Sequence, residues 1–420
     1  MNRSTRAAIP LLAATAVAML ALTGCSPRVA GDDSSGGPAQ ASPGITDTEI
    51  DLGMTTPLSG PLALVGSQAL AGLQTYIDKL NDAGGVTFGD GKTRTIDLKG
   101  YDDGYDAAKA VANVQQEIAE GKFMNVGGLG TANNLATMPI ANQNQFPNVL
   151  LQSGADGLSD DQADNPWTIG YLPTYTGETA AFGKYLASLG KPITVAILAQ
   201  DDDAGAAWAD GLKQGIQGSQ VTVVDEEKFE AGDPQVDSQM ATLAATKADV
   251  FFEATGQLNI IPQSMLKAQQ LGWLPELFLP SVASGAQQSI VPGSGQAFPA
   301  IFSVAFSKDP NSPTFADDAE VQAFKAEFKQ YAPAAIADAP LAQAVWGYQT
   351  GAVLEAAFQA MKEPTRQAFM DALHSLSGIS IPLALDGVTF DATGTTTSPM
   401  TATVVVQQYD FEQKTYVNVG

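Results

Sequence analysis

The sequence predicts an α/β protein of two lobes, each built on an open, mostly parallel sheet. Three observations carry that expectation. Short apolar runs alternate with longer amphipathic runs that stop at glycine. The alternation passes through once, breaks near Pro166 and restarts. The part available for folding, from Ile45 onward, is about 375 residues, more than one core comfortably covers.

In chain order, the first 44 residues stand outside that rhythm. Arg3 and Arg6 precede an apolar stretch from Ala7 to Leu22, which is 16 residues long and contains Pro10. Such a stretch is too short and wrongly flanked to span a membrane, and it fits the apolar region of a secretory signal. It runs into Leu22-Thr23-Gly24-Cys25, small residues directly before the chain's single cysteine. That run resembles a bacterial lipobox. The resemblance implies a signal peptide over 1–24 and a diacylated Cys25 that anchors the protein without spanning the bilayer; the other reading is an ordinary signal with an incidental cysteine. Residues 25–44, rich in Ser, Gly, Pro and Asp, are expected to be a flexible tether.

The first run of elements is then expected as a strand at 50–55, a helix at 67–83 stopping at Gly84-Gly85, and a strand at 95–100. A helix at 106–120 follows, with Ala107, Val111, Val114 and Ile118 on one face and Gly121 as its stop. A strand at 123–126, a helix at 131–143 and a strand at 148–151 complete it. The second run reads as a helix at 177–188, strand 194–198, helix 206–216, strand 221–224, helix 237–246, strand 250–252 and helix 258–271. Residues 317–376 read as mostly helical, and 388–409 with 415–419 return to strands.

Composition removes whole classes of function. A net charge of −24 and a pI near 4.2 argue against nucleic acid or an anionic membrane face as partner. With no thiol after Cys25 there is no internal disulfide and no Cys-ligated metal. His374 is the only histidine, inside the expected helix FMDALHSL, which excludes His-based triads, HExxH sites and multi-His metal sites. No cofactor, metal site or enzymatic activity is expected. Beyond the tether's Arg28 the only arginines are Arg94 and Arg366, so a carboxylate ligand must be held by hydroxyls and backbone N–H groups.

In open α/β sheets ligands sit at the carboxyl ends of the strands. Three polar, glycine-containing loops fall there: TTPLSGP (55–61), GGLGTANN (127–134) and LLQSGADG (150–157). The middle loop is not a P-loop, because no Lys-Ser/Thr follows its glycines, and Asn133 stands where a dinucleotide fingerprint needs its third glycine. Either its glycines serve a tight turn, or Thr131 Oγ and the first N–H groups of the following helix hold an anionic or amide oxygen. Ser59, Leu129, Gly130, Thr131, Ser153, Gly154 and Ala155 are the candidate contacts from these loops. Asp201-Asp202-Asp203 and Asp102-Asp103 lack calcium-loop spacing and read as helix-terminal or solvated charge. Trp208, Trp273 and Trp346 read as core or lobe packing.

The segments LSGPLALVGSQALAGLQTYIDKLNDAGGV (58–86), YDDGYDAAKAVANVQQEIAEGK (101–122), PWTIGYLPTYTGETAAFGKYL (166–186), DPQVDSQMATLAATKADVFFEATG (233–256) and AQQLGWLPELFLPS (268–281) resemble, in this order, the solute-binding proteins of branched-chain amino acid-type ABC importers. The resemblance extends from Ile45 to the C-terminus. It implies the two-lobed periplasmic binding protein type I fold with three interlobe crossovers. Lobe 1 would be 45–170 with 307–384, and lobe 2 would be 171–306 with 385–420. It further implies a monomeric receptor on the outer face of the cytoplasmic membrane, closing on a small amino acid or related carboxylate or amide and passing it to permease subunits. Two alternatives are a sensing subunit of the same fold and a receptor for an aromatic or aliphatic carboxylate.

Carried over residue by residue, the family's carboxylate-holding hydroxyl falls on Thr131. Its second hydroxyl falls on Ala155, with Ser153 two residues earlier as a substitute. Aromatic positions of the family are occupied here by Val65 and Ala204, and its acidic ammonium partner falls at Ser281 or Val282, leaving Glu253 as the nearest replacement. Tyr175, Ala204, Thr255 and Ser281 are thus the second lobe's implied contacts. Tyr171 and Tyr175 offer either flat surfaces for a ligand or lobe packing.

Overall fold

In the computed structural model, each run of alternating elements closes into its own sheet. The structure describes residues 40–60, 62–158, 164–284, 297–338, 340, 342–393, 400–401, 404–413 and 415–419. The expected signal peptide, Cys25 and nearly all of the tether lie outside the described residues.

The first sheet is formed by β1 (Glu49–Thr56), β2 (Val86–Thr87), β3 (Thr93–Asp102), β4 (Met124–Val126), β5 (Asn148–Leu151) and β6 (Thr168–Gly170), in the order β2-β3-β1-β4-β5-β6. Every pairing is parallel except that of β2 with β3. The connecting helices are α1 (Ala63–Asp82), α2 (Ala107–Glu120) and α3 (Thr131–Gln143). Helix α2 shows why these boundaries were readable. The Asp106 side chain accepts from the N–H groups of Ala108 and Lys109, and Gly121, at φ 76°, closes its C-terminus.

The second run supplies α4 (Tyr175–Ser188), β7 (Ile193–Gln200), α5 (Asp203–Gly215), β8 (Val221–Phe229), α6 (Asp237–Thr246), β9 (Val250–Ala254), α7 (Ile261–Gln270), β10 (Glu276–Phe278), α8 (Ser281–Ser284) and β11 (Ile301–Ala305). Then come α9 (Ala319–Tyr331), α10 (Ala342–Ala360) and α11 (Arg366–His374). A small antiparallel sheet of β12 (Ile379–Ser380), β13 (Thr389–Phe390) and β14 (Met400–Thr401) follows, and β15 (Val405–Asp410) and β16 (Thr415–Asn418) end the chain. The second sheet runs β16-β15-β11-β10-β9-β7-β8, parallel from β11 to β8, with the last two chain strands added antiparallel at one edge.

Helix α10 belongs with the first sheet's helices. It lies so close to α1 that a Cβ on Gly72 would stand 2.0 Å from Ala344 O, and one on Gly347 2.1 Å from Ala69 O. Glycine is needed at both points for the two backbones to meet.

The segments joining the two halves converge on one buried side chain. Gln349 of α10 donates from Nε2 to Pro382 O at 2.7 Å, which leaves Oε1 to accept from Tyr171 Oη at 3.0 Å and Ser307 Oγ at 3.2 Å. Tyr171 follows β6, Ser307 follows β11, and Pro382 precedes the return toward the second sheet. The latter two stretches also pair directly, Lys308 N to Leu383 O at 2.7 Å and Leu385 N to Phe306 O at 3.0 Å. Tyr171 is thereby packed in the core at this junction. The strands absent from the sequence-based expectation (β2, β6, β10, β11 and β12) have two to five residues each, too few to display a period.

Candidate functional site

Both sheets present their carboxyl ends to one narrow cavity of about 60 Å³. In the first sheet β1 lies between β3 and β4, and in the second β7 lies between β8 and β9, so loops leaving adjacent strands diverge at each of these points. From the first half the cavity is lined by Leu62 and Val65 of α1 and its approach, Tyr105 after β3, Leu129-Gly130-Thr131 after β4, and Gln152 after β5. The second half contributes Gln200 at the end of β7, Ala204 and Trp208 after it, Gly256 and Gln257 after β9, and Val282 after β10. Leu172 and Tyr175 from the crossing segment, and Gln343 and Trp346 from α10, complete the wall.

The β4–α3 loop is held by amides beneath it. Asn125 accepts from Thr55 N at 2.9 Å and donates to Asn148 at 2.6 Å, Asn148 donates to Thr137 at 3.1 Å, and Asn134 donates to Gly128 O at 2.9 Å. Gly130 adopts φ 106°, and a Cβ there would stand 2.7 Å from Tyr105 Cε2. Tyr105 itself holds a left-handed φ of 64°, costly for a bulky residue, fixed by its N–H donating to Asp103 Oδ1 at 2.8 Å. Helix α3 begins at Thr131 with no side chain capping it, so its positive end is turned to the cavity. Thr131 Oγ1 lies 2.7 Å from Ser153 Oγ, which also accepts from Ala155 N at 3.2 Å.

Across the cavity, helix α5 is capped by its own Asp202, whose carboxylate accepts from Gly205 N at 3.0 Å. Of these two helix N-termini, α5's already carries an anion and α3's does not. The ring of Tyr175 lies against Trp208 with centroids 4.1 Å apart. No Asp, Glu, Lys, Arg or His is among the lining residues. Burial, with the neighbouring Asp202, pushes the Tyr105 hydroxyl up to about 12; burial raises Asp103 as well. The two arginines serve structure: Arg94 pairs bidentately with Asp90 at 2.9 and 2.7 Å, and Arg366 donates to Phe123 O and Lys122 O at 2.8 and 2.6 Å.

Of the residues expected from sequence, Leu129, Gly130, Thr131, Tyr175 and Ala204 line the cavity. Ser153 and Thr255 stand one layer behind, Ser153 on Thr131 and Thr255 donating to Gln200 Oε1 at 3.3 Å. Four others do not line the cavity. Ser59 is exposed and its N–H donates to Asp102 at 3.1 Å. Gly154 and Ala155 fold away, Gly154 O accepting from Tyr175 N at 2.8 Å and Ala155 packing with Leu151 and Leu158. Ser281 is occupied by Glu178, whose carboxyl accepts from its N–H at 2.6 Å and its hydroxyl at 2.8 Å.

Glu253, nominated as an ammonium partner, points to the other face of its sheet. Phe252 and Ala254 belong to one core cluster and Phe251 to the other, so Glu253 shares the face of Phe251, beneath α7, where Ser264 Oγ donates to it at 2.7 Å. Trp208 and Trp346 line the cavity as well as packing, whereas Trp273 donates to Ala248 O at 3.0 Å within the core.

What the sequence reading missed is a set of glutamines: Gln152, Gln200, Gln257 and Gln343. A signal was present, since Gln152 and Gln200 directly end apolar strand runs at the sheet edge where ligands sit. A larger depression of about 620 Å³, lined by Lys308, Asp309 and Asp318 among others, opens beside the crossing ribbon. Its lysine is held by Asp318 at 2.8 Å and Glu320 at 3.0 Å, and few strand-end loops reach it.

A sequence profile of the periplasmic binding protein family matches residues 49–410. The chain is 24% identical over 227 residues to the Leu/Ile/Val-binding protein BraC3 of Rhizobium johnstonii; the match covers 54% of this chain and spans 59% of that relative's length. A fatty acid ABC transporter substrate-binding protein from Thermomonospora curvata has a similar fold, with TM-score 0.75 and 20% identity over 90% of this chain and 94% of that one. An R. palustris ABC transporter solute-binding protein in complex with benzoate gives TM-score 0.72 and 19% identity, over 89% and 96%. At these identities the two structures speak for the fold alone.

Proposed function

The chain belongs to the periplasmic binding protein family, and from that premise we propose that it is the solute-capturing receptor of an ABC importer. It holds a small amino acid, carboxylate or amide between its lobes and presents the closed form to a membrane permease. The observation carrying this reading is that one cavity draws its wall from the strand-end loops of both sheets. A solute touching both walls binds the closed arrangement better than any open one and shifts the population toward it, with no bond made or broken. The Gln349 junction, where the crossing segments meet, is the natural pivot.

Within the site, Thr131, the Ser153 hydroxyl behind it and the free end of α3 would take an oxygen of the solute, while Tyr175 and Trp208 would cover its apolar part. The names of the similar proteins range from leucine, isoleucine and valine to fatty acid and benzoate. Family membership therefore leaves the cargo open, and the wall chemistry has to select it. The run Leu22-Thr23-Gly24-Cys25 supports a lipid tether through Cys25 to the outer face of the cytoplasmic membrane.

A thermal-shift screen tests the receptor reading. The panel holds branched-chain amino acids, simple amides and urea, and aromatic or aliphatic carboxylates. A true solute raises the melting temperature by mass action, is recovered unchanged, and loses its effect in Trp208→Ala. Chemical turnover of the bound solute would sink the proposal.

A further inference from the structure

The amide groups of the cavity wall are oriented by their partners, and the ends left over specify what a solute must bring. The first orientation is set by Asp202, whose carboxylate can only accept. Gln200 donates to it from Nε2, so Gln200 Oε1 is the acceptor end of that amide. Into that oxygen Thr255 donates at 3.3 Å and Gln257 donates from Nε2 at 2.8 Å. Gln257 is thereby turned so that its Oε1 remains, and this oxygen is buried with no protein partner.

Gln343 reaches the same state independently. Its Nε2 donates to the carbonyl of Val282 at 2.9 Å, an acceptor that fixes the flip, and its Oε1 is likewise buried without a partner. Both residues line the cavity and are only 2% and 3% exposed. Gln257 stands on the second sheet's β9–α7 loop, while Gln343 opens α10, which packs on α1 of the first half. One fixed acceptor thus comes from each side of the cleft. Elsewhere in the wall the Trp208 indole N–H and both ends of the Gln152 amide are buried without protein partners.

We infer that the solute carries N–H or O–H donors that meet Gln257 Oε1 and Gln343 Oε1, making these two glutamines specificity-determining residues. The inference rests on the cleft being the solute site. An apolar carboxylate with no other polar group has no donor to offer: it would leave both amide oxygens unmatched, or set its own oxygens against them. A site built to accept hydrogen bonds discriminates strongly against an analogue that lacks the donor. The donor can be a protonated amine or an uncharged amide or hydroxyl, because both satisfy a carbonyl oxygen. The Asp202–Gln200–Gln257 relay ends in an oxygen polarised by a carboxylate, which strengthens its pull on either.

The test is isothermal titration of the purified full chain with matched triplets on three skeletons: leucine, 4-methylpentanamide and 4-methylpentanoate; phenylalanine, 3-phenylpropanamide and 3-phenylpropanoate; alanine, propanamide and propanoate. On the skeleton that binds, a donor-bearing member should bind at least about tenfold tighter than its donor-free acid. Preference for the amino acid identifies the donor as an amine, and preference for the amide identifies it as neutral. Gln257→Met, with Gln343→Met beside it should the first fail to fold, should remove about tenfold from the donor-bearing probe and tighten the donor-free acid, which no longer faces an unmatched oxygen. Equal or tighter binding of a donor-free acid overturns this inference while leaving the receptor reading intact. An absence of binding by all nine overturns both.

Discussion

Glu253→Gln should stabilise the protein at pH 8 and leave it almost unchanged near pH 4.5. Glu253 is completely buried on β9. Ser264 Oγ donates to one carboxyl oxygen at 2.7 Å, and the other oxygen has no protein partner. Burial pushes this carboxyl up from 4.5 to about 8, with the Ser264 bond opposing only weakly. The folded state therefore holds a proton that the unfolded chain gives up at a lower pH. Its stabilising contribution is complete below about 4.5 and is lost as the pH climbs through about 8.

The gap from 4.5 to about 8 is equivalent to about 5 kcal/mol, an upper bound because local relaxation and water entry soften the penalty. Glutamine keeps the shape and the oxygen that Ser264 reaches but cannot ionise. Denaturant unfolding at pH 5, 6, 7 and 8 should show the wild-type chain losing stability with rising pH and the variant losing about 2–3.5 kcal/mol less over that range. Glu178, raised by burial to about 7, supplies a slope of the same sign common to both proteins. The net charge of −24 adds a further common slope, so only the difference between the curves reports on Glu253. Parallel curves, or a variant less stable at pH 8, would refute the assignment of this carboxyl as a buried neutral acid.

Gly130→Ala places a methyl group 2.7 Å from Tyr105 Cε2 in a backbone conformation of φ 106°; about 1–3 kcal/mol of stability should go, together with solute affinity, and unchanged values for both would mean that the loop yields freely. Gln349→Leu removes the acceptor of Tyr171 and Ser307 and the donor to Pro382. Two to three stranded polar groups put the expected cost at about 2–5 kcal/mol. X-ray scattering with and without bound solute should also show a smaller compaction than in the wild-type chain; a full-sized compaction would remove Gln349 from the pivot.

The sequence disclosed the scaffold and half of the site, and the division has a physical cause. Helices long enough to show a period and capped by recognisable residues, such as α2 between Asp106 and Gly121, announce their own ends. Strands β6 and β10, three residues each, are too short to show a period, and β11 is buried along most of its length and so has no alternating face to betray it. At the site, the β4–α3 loop was legible because glycine before a helix start has few other uses. The orientation of the glutamines was not, because a neutral amide acquires a direction only from its partners, and those partners are distant in sequence. Gln343 meets Val282 across 61 positions and Gln257 meets Gln200 across 57.

Glu253 shows the complementary case. Proximity to a strand end suggested the cleft, but facing depends on parity. With Phe252 and Ala254 packed into one core, the residue between them must face the other. Alternation along VFFEA would have set that carboxyl on the face of Phe251, which in the structure lies beneath α7. It would also have moved the search for the solute's donor partner three and four residues onward, past the end of the strand, to the loop where Gly256 and Gln257 line the cleft.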